Sequence, residues 1–288
     1  MVVTTRSSHR RVVERSWSEL ALAPNPAKRQ AELFFLRYSL AWIAGVLCIL
    51  VPFRLYESFG AWGYMGVGMA TATPLVVIPM LFPPREDRSK PWYDKYWVKA
   101  QVWIAIFSFV GNYFWTHYFY TVLGAEYTFP AHRLNDVPIT LFLMTHAYFA
   151  LYHALSNVFI RTARNVVRPR FGPTAAAVAE ALVVLTLAYS TAFAETLTIA
   201  HFPYYRFKDK TRIYTVGSMF YAIYFIVSFP MFFRLDENPK TAKTPLSGFV
   251  VSSLAAGMLV TILLDFWRLF VGNVVSHDGA SGLPWGSS

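Results

Sequence analysis

Long apolar runs separated by short, polar, basic gaps set the pattern of this chain. Stretches of mostly apolar residues recur at 33–53, 62–82, 100–124, 138–160, 175–201, 213–233 and 247–271. A hydrocarbon core about 30 Å thick takes about 20 helical residues to cross, and each stretch is that long. None shows the two-residue alternation of a membrane strand, and backbone facing lipid must close its own hydrogen bonds, so each is read as a helix. The pattern predicts an all-α polytopic membrane protein: a seven-helix transmembrane bundle over 32–272, between a basic, disordered arm at 1–31 and a tail at 273–288. Pro52, Pro74, Pro79 and Pro230 fall in or near span ends, where membrane helices tolerate kinks.

Composition supports the pattern, since 55% of the 288 residues are hydrophobic and 18% aromatic, more apolar surface than a soluble domain of this size readily hides. The net charge of +10 raises the question of nucleic acid, but the basic residues form no single patch and fall in the gaps between apolar runs. Lys and Arg number 18 in the arm and the gaps at 83–99, 161–174 and 234–246, against 6 in the other gaps. The asymmetry predicts a cytosolic N-terminus and a lumenal C-terminus. Cys48 is the single cysteine, so no intrachain disulfide is possible.

Ionisable groups inside the spans are His117, His146, His153, Glu195 and Asp265. His117, His146, Glu195 and Asp265 each lie seven or eight residues from the lumenal end of their span. That places four groups from four helices in one layer, about 10–12 Å below the membrane surface at 1.5 Å per residue. His146 and His153 are seven apart and share a helix face, continued by Asn157. On the third span, within "GNYFWTHYFYTVLGAEYTFP" from Gly111, Asn112, Trp115 and Phe119 form one stripe, and Tyr113, His117 and Tyr120 the next. Each His or Asn can serve simply as an interhelical hydrogen-bonder, and Asp265 has a partner in Arg268 three residues on. A carboxyl in hydrocarbon is costly and is a functional candidate by default.

A protonated carboxyl in lipid is a proton donor whose conjugate base is unfavourable unless a cation forms beside it. A reaction through a carbocation supplies that cation, aromatic faces stabilise it, and exclusion of water keeps it from being trapped as an alcohol. Acid-catalysed isomerisation of an apolar lipid fits such a layer.

The segments "LAPNPAKRQAELFFLRY", "WVKAQVWIAIFSFVGNYFWTHYFYTVLGAEYTFP", "THAYFALYHALSN", "AETLTIAHFPYYRF" and "MLVTILLDFWRLFVG" resemble cycloeucalenol cycloisomerases, the cyclopropyl sterol isomerases of phytosterol synthesis; the likeness runs from about Leu22 to Trp285. The resemblance implies an enzyme of the endoplasmic reticulum membrane that opens the 9β,19-cyclopropane ring of a 4α-methyl sterol, converting cycloeucalenol to obtusifoliol without a cofactor. Its partners would be the sterol and the bilayer, with no metal and no nucleic acid. A proton goes to C19, positive charge develops at C9, and loss of the C8 proton leaves the 8,9 double bond.

The expected site sets Glu195 with His117 or His146 as acid and relay, and Asp265 as countercharge or proton acceptor. Tyr113, Trp115 and Tyr120 line the cation, and Asn112 or His153 holds the sterol hydroxyl. A sterol 8,7-double-bond isomerase and a non-catalytic membrane sterol-binding protein remain open alternatives. A retinal receptor is excluded by the lack of Lys in residues 247–272. Oligomeric state is not encoded in any of these patterns.

Overall fold

The computed structural model describes residues 16–272, and the first fifteen residues of the expected arm and the tail at 273–288 lie outside them. A short helix α1 (Trp17–Ala21) leads into α2 (Pro26–Gly45), which is capped by Asn25 and continues as a π-helical turn to Leu50. There follow α3 (Ala61–Leu81), α4 (Tyr96–Val110), a π turn at Gly111–Trp115, and α5 (Thr116–Thr121). The long α6 runs Ile139–His201, α7 is one turn at Lys210–Arg212, a second π turn spans Ile213–Gly217, and α8 (Ser218–Arg234) and α9 (Leu246–Phe270) are the last helices among the described residues.

The fold is all-α and membrane-like. Among the described residues five helices are long and apolar enough to cross a membrane: Pro26–Leu50, Ala61–Leu81, Ile139–His201, Ile213–Arg234 and Leu246–Phe270. The third expected span is α4, π turn and α5 in succession, and no one of these is long enough to count alone. Gly111 opens that π turn because a Cβ there would lie 2.9 Å from the Trp115 ring.

The expected gap at 161–174 is corrected by the structure. Helix α6 continues through it to Phe171, so residues 139–171 alone extend about 50 Å at 1.5 Å per residue. The interruption is a single residue, Gly172, at φ 85° and ψ 179°, a conformation open to glycine and strained for other residues. Arg164 and Glu180 bridge the break with paired contacts of 2.6 Å. Two of the four basic residues read as a loop signal, Arg161 and Arg164, are instead ion-pair partners along a helix.

Helix α8 is the most enclosed of the five and packs against α6 and α9; α4 packs on α9 and α6, and α2 and α3 flank α6. Four short strands lie at the end of the bundle where α5 and α6 meet: β1 (Ala125–Tyr127), β2 (Arg133–Leu134), β3 (Val137–Pro138) and β4 (Tyr205–Phe207). Strands β1 and β4 pair antiparallel with Tyr127 opposite Tyr205, and β2 pairs with β3.

The opposite end is fastened by charge. Arg161, 1% exposed, donates to both carboxylate oxygens of Glu237 at 2.6 and 2.8 Å, to both of Glu32 at 3.1 and 3.0 Å, and to the Ala21 carbonyl at 2.8 Å. Asn157 donates to Glu32 at 2.7 Å. Lys28 caps the carbonyls of Phe233 and Leu235 and pairs with Glu237 at 2.9 Å, while Lys99 pairs with Asp236 at 2.8 Å. Residues 16–31 therefore belong to the folded body rather than to the disordered arm expected of them, because Lys28 and the alanines at 21, 23, 27 and 31 are buried in it.

Burial pushes the Glu237 carboxyl up, but its hydrogen bonds and charge interactions with Arg161 and Lys28 outweigh this and hold it below the ordinary value of 4.5. A carboxyl depressed by folding adds stability at pH values above its unfolded value, and that stability is lost as pH falls through the folded value. Melting of the detergent-solubilised protein should therefore shift to lower temperature as the pH drops below about 4.5, and a Glu237→Gln variant, weaker at neutral pH, should shift less. Equal acid sensitivity of the two proteins would refute the assignment.

Candidate functional site

The end of the bundle that carries the strands encloses a cavity with about 100 Å³ of free space. Its walls come from both π turns, from both halves of α6, from α8 and from the β1–β4 ribbon. Glu195, on the second half of α6, lines it, and Tyr221 of α8 donates its hydroxyl proton to Glu195 Oε2 at 2.6 Å. The rings of Tyr127, Tyr205 and Tyr224 and the indole of Trp115 line the same space. Tyr127 and Tyr205 meet edge to face at 4.9 Å, a contact set by their opposed positions in the ribbon. Trp115 is held from two sides, by a 2.8 Å hydrogen bond to Thr261 Oγ1 and by the Tyr224 ring at 4.6 Å.

Asn112 reaches the cavity wall with its amide nitrogen donating to the Ser108 carbonyl at 2.8 Å, and its Oδ1 accepts from Thr145 at 3.4 Å. Asn112 and Thr145 thus form one polar spot in a wall rich in aromatic rings. Glu195, Asn112 and Trp115 are thus the sequence-predicted site residues that the fold brings together.

The others are placed elsewhere. His117 accepts from Asn135 Nδ2 at 2.9 Å and packs its ring against Tyr120, whose hydroxyl donates to the Asp136 carbonyl at 3.0 Å. Tyr113 stacks on Phe109. His146 is hydrogen-bonded to Gln101, which in turn donates to the Leu75 carbonyl at 3.0 Å. His153 is sealed among Trp103, Phe107, Phe149, Phe229 and Phe232, with Nδ1 donating to the Phe149 carbonyl at 2.8 Å. Asp265 is paired with Arg268 at 2.7 Å and accepts from Tyr118 at 3.3 Å, and its side chain is 37% exposed. None of these six lines the cavity. His117, His146 and Asp265 match Glu195 in depth but face other neighbours, because depth along a helix does not set rotation about it.

Tyr221, Tyr224, Tyr127 and Tyr205 were missed. Tyr221 and Tyr224 stand three apart in an apolar span and so share a face, but nothing local says that this face meets Glu195. Tyr127 and Tyr205 lie outside the spans, in segments whose pairing is visible only in three dimensions.

What the site offers chemically, among the described residues, is a single carboxyl, a hydroxyl donor on its second oxygen, and aromatic faces around a partly open space. As a donor the carboxyl would leave behind an anion already hydrogen-bonded by Tyr221, and that bond strengthens when the acceptor becomes charged.

The chain is 51% identical over 274 residues to the protein of Arabidopsis thaliana named cycloeucalenol cycloisomerase, an alignment that covers 93% of this chain and 97% of that protein. No family model matches the chain, and no solved structure matches it.

The Glu195–Tyr221 contact should be measurable apart from any activity. Tyr221→Phe should lower unfolding stability by roughly 1 kcal/mol in Glu195-containing protein and by clearly less in a Glu195→Ala background. An identical loss in both backgrounds, in a double-mutant cycle read by thermal unfolding, would show that the hydroxyl acts through other partners.

Proposed function

The chain belongs to the cycloeucalenol cycloisomerase family, and we propose that its tyrosine-walled cavity opens the 9β,19-cyclopropane ring of a 4α-methyl sterol, converting cycloeucalenol to obtusifoliol. The observation that carries this reading is the Glu195–Tyr221 pair on an aromatic cavity in the apolar bundle. The reaction moves protons only and is redox-neutral.

Glu195 is the acid. Its proton passes to C19 as the strained C9–C19 bond opens, the methylene becomes a methyl group, and positive charge develops at C9. Tyr221 steadies the carboxylate that results. Here the hydroxyl takes the supporting part first expected of His117 or His146. The faces of Trp115, Tyr127, Tyr205 and Tyr224 flank the cation, each worth up to roughly 2 kcal/mol in a dry site, in the part first expected of Tyr113, Trp115 and Tyr120. Asn112, with Thr145, is the polar group offered to the sterol hydroxyl. A weakly basic carbon–carbon bond demands a donor held close and in line, which suits a carboxyl on a helix, fixed from behind by a second helix.

Binding sites for ligands of drug size run to about 300–1,000 Å³, above the free space here, so a sterol must part the walls as it enters. Both π turns belong to those walls, and such turns recur at functional sites.

The lipid setting follows from the same reading. We take the chain to cross the membrane seven times, counting α4 through α5 as one crossing and the two halves of α6, on either side of Gly172, as two. The N-terminus is then cytosolic, the C-terminus lumenal, and the membrane that of the endoplasmic reticulum. The excess of Lys and Arg at the Arg161 end supports that orientation.

With the chain expressed in membranes free of cyclopropyl sterols and fed cycloeucalenol, obtusifoliol should accumulate. Glu195→Gln should reduce turnover by about 10²–10⁴-fold, the range for loss of a positioned acid, while the protein stays inserted; an active E195Q would move the acid elsewhere. In heavy water, at substrate concentrations low enough for the acid to exchange between turnovers, the new C19 methyl should carry one solvent deuterium, and its absence under those conditions would rule out a donor in exchange with water.

A further inference from the structure

An isomerisation that begins with proton delivery must end with proton removal, and among the described residues the cavity holds a single carboxyl to serve both. Of the described residues lining it, Glu195 is the one with a carboxyl and none has an imidazole. The titratable groups that sense the Glu195 charge are tyrosines: Tyr221 and Tyr224 from α8, Tyr148 and Tyr152 from the first half of α6, and Tyr127 and Tyr205 from the ribbon. A neutral phenol is a poor base. The groups of the expected layer are committed elsewhere, Asp265 to Arg268, His146 to Gln101 and His117 to Asn135.

We infer that Glu195 is both acid and base in one turnover: the carboxylate left when its proton goes to C19 takes the C8 proton back. The inference rests on the cyclopropane-opening reading and adds to it the fate of the second proton. The Glu195 O–H bond breaks as the C9–C19 pair forms the new C19–H bond; the C8–H pair then becomes the second bond of the 8,9 double bond, and its proton returns the carboxyl to its starting state. No oxidant, reductant or water is consumed.

Geometry of the substrate allows this. C19 and C8 are both attached to C9, and in the sterol skeleton the cyclopropane methylene and the C8 hydrogen stand on the same β face. One carboxyl lying over that face reaches both. Tyr221, bonded to Oε2, stabilises the anion during the interval between the two transfers, which makes it a positioning residue for this carboxyl.

The test is a crossover. The full-length protein in proteoliposomes is given cycloeucalenol deuterated at C8, mixed with unlabelled substrate of a different side-chain mass, in ordinary water. If one carboxyl carries both protons, deuterium taken from C8 of one molecule is delivered to C19 of the next. Part of the label should then appear in the C19 methyl of the initially unlabelled partner, in a fraction that rises with substrate concentration as turnover outruns exchange. A Tyr221→Phe enzyme that still turns over should slow while keeping the crossover. Normal isomerisation with no C19 label in either product at any concentration would overturn the inference, sending the C8 proton to another group. Absence of any isomerisation by inserted, folded protein would instead overturn the cyclopropane-opening reading itself.

Discussion

A charge taken out of water must find its opposite, and in this chain that constraint separates the two ends of the bundle. At one end Lys28, Lys99 and Arg161 meet Glu32, Asp236 and Glu237, cation for anion, with the spare donors spent on backbone carbonyls. Removing one member of such a set strands its partner at a cost of several kcal/mol, which is why buried ion pairs lock geometry more than they add net stability. Arg161 joins the segment before α2, α2 itself, α6 and the loop after α8, so the helices that carry the cavity are gathered by a clamp at the far end.

At the other end the rule is suspended. Glu195 has a hydroxyl and a wall of rings where Glu32 has a guanidinium. A carboxyl so placed has no cation paired with it among the described residues, and in the proposed reaction it is the group that gives up its proton when a positive charge is generated beside it. The clamp and the cavity are therefore complementary uses of one physical cost, paired away where the fold needs rigidity and left unpaired where chemistry needs it.

Much of the fold was legible because apolar length is a strong signal. The runs around Ala61–Leu81, Ile213–Arg234 and Leu246–Phe270 match helices within a few residues. Legibility failed where polar residues sit inside folded helices: Lys28 read as part of a disordered arm, and Lys99 and Arg161 as gap residues, yet each is paired and buried. Of the residues that line the cavity, Glu195 was singled out by depth and residue type, and Asn112 and Trp115 as neighbours on one stripe of the third span. Asp265 pairs with Arg268 three residues on, as the sequence already allowed, whereas His146 turns toward Gln101, a partner on another helix that the local sequence does not reveal. The tyrosine wall was hidden for the same reason.

The π turn at Ile213–Gly217 carries one residue more than an α-helix would need for the same climb. That extra residue fixes the azimuth of all that follows. In a helix regularised by its removal, Tyr221 and Tyr224 would stand roughly 100° further round the axis, away from the cavity they line and, for Tyr221, from Glu195. The local irregularity is the gear tooth that turns a hydrophobic rod into a wall of the cavity.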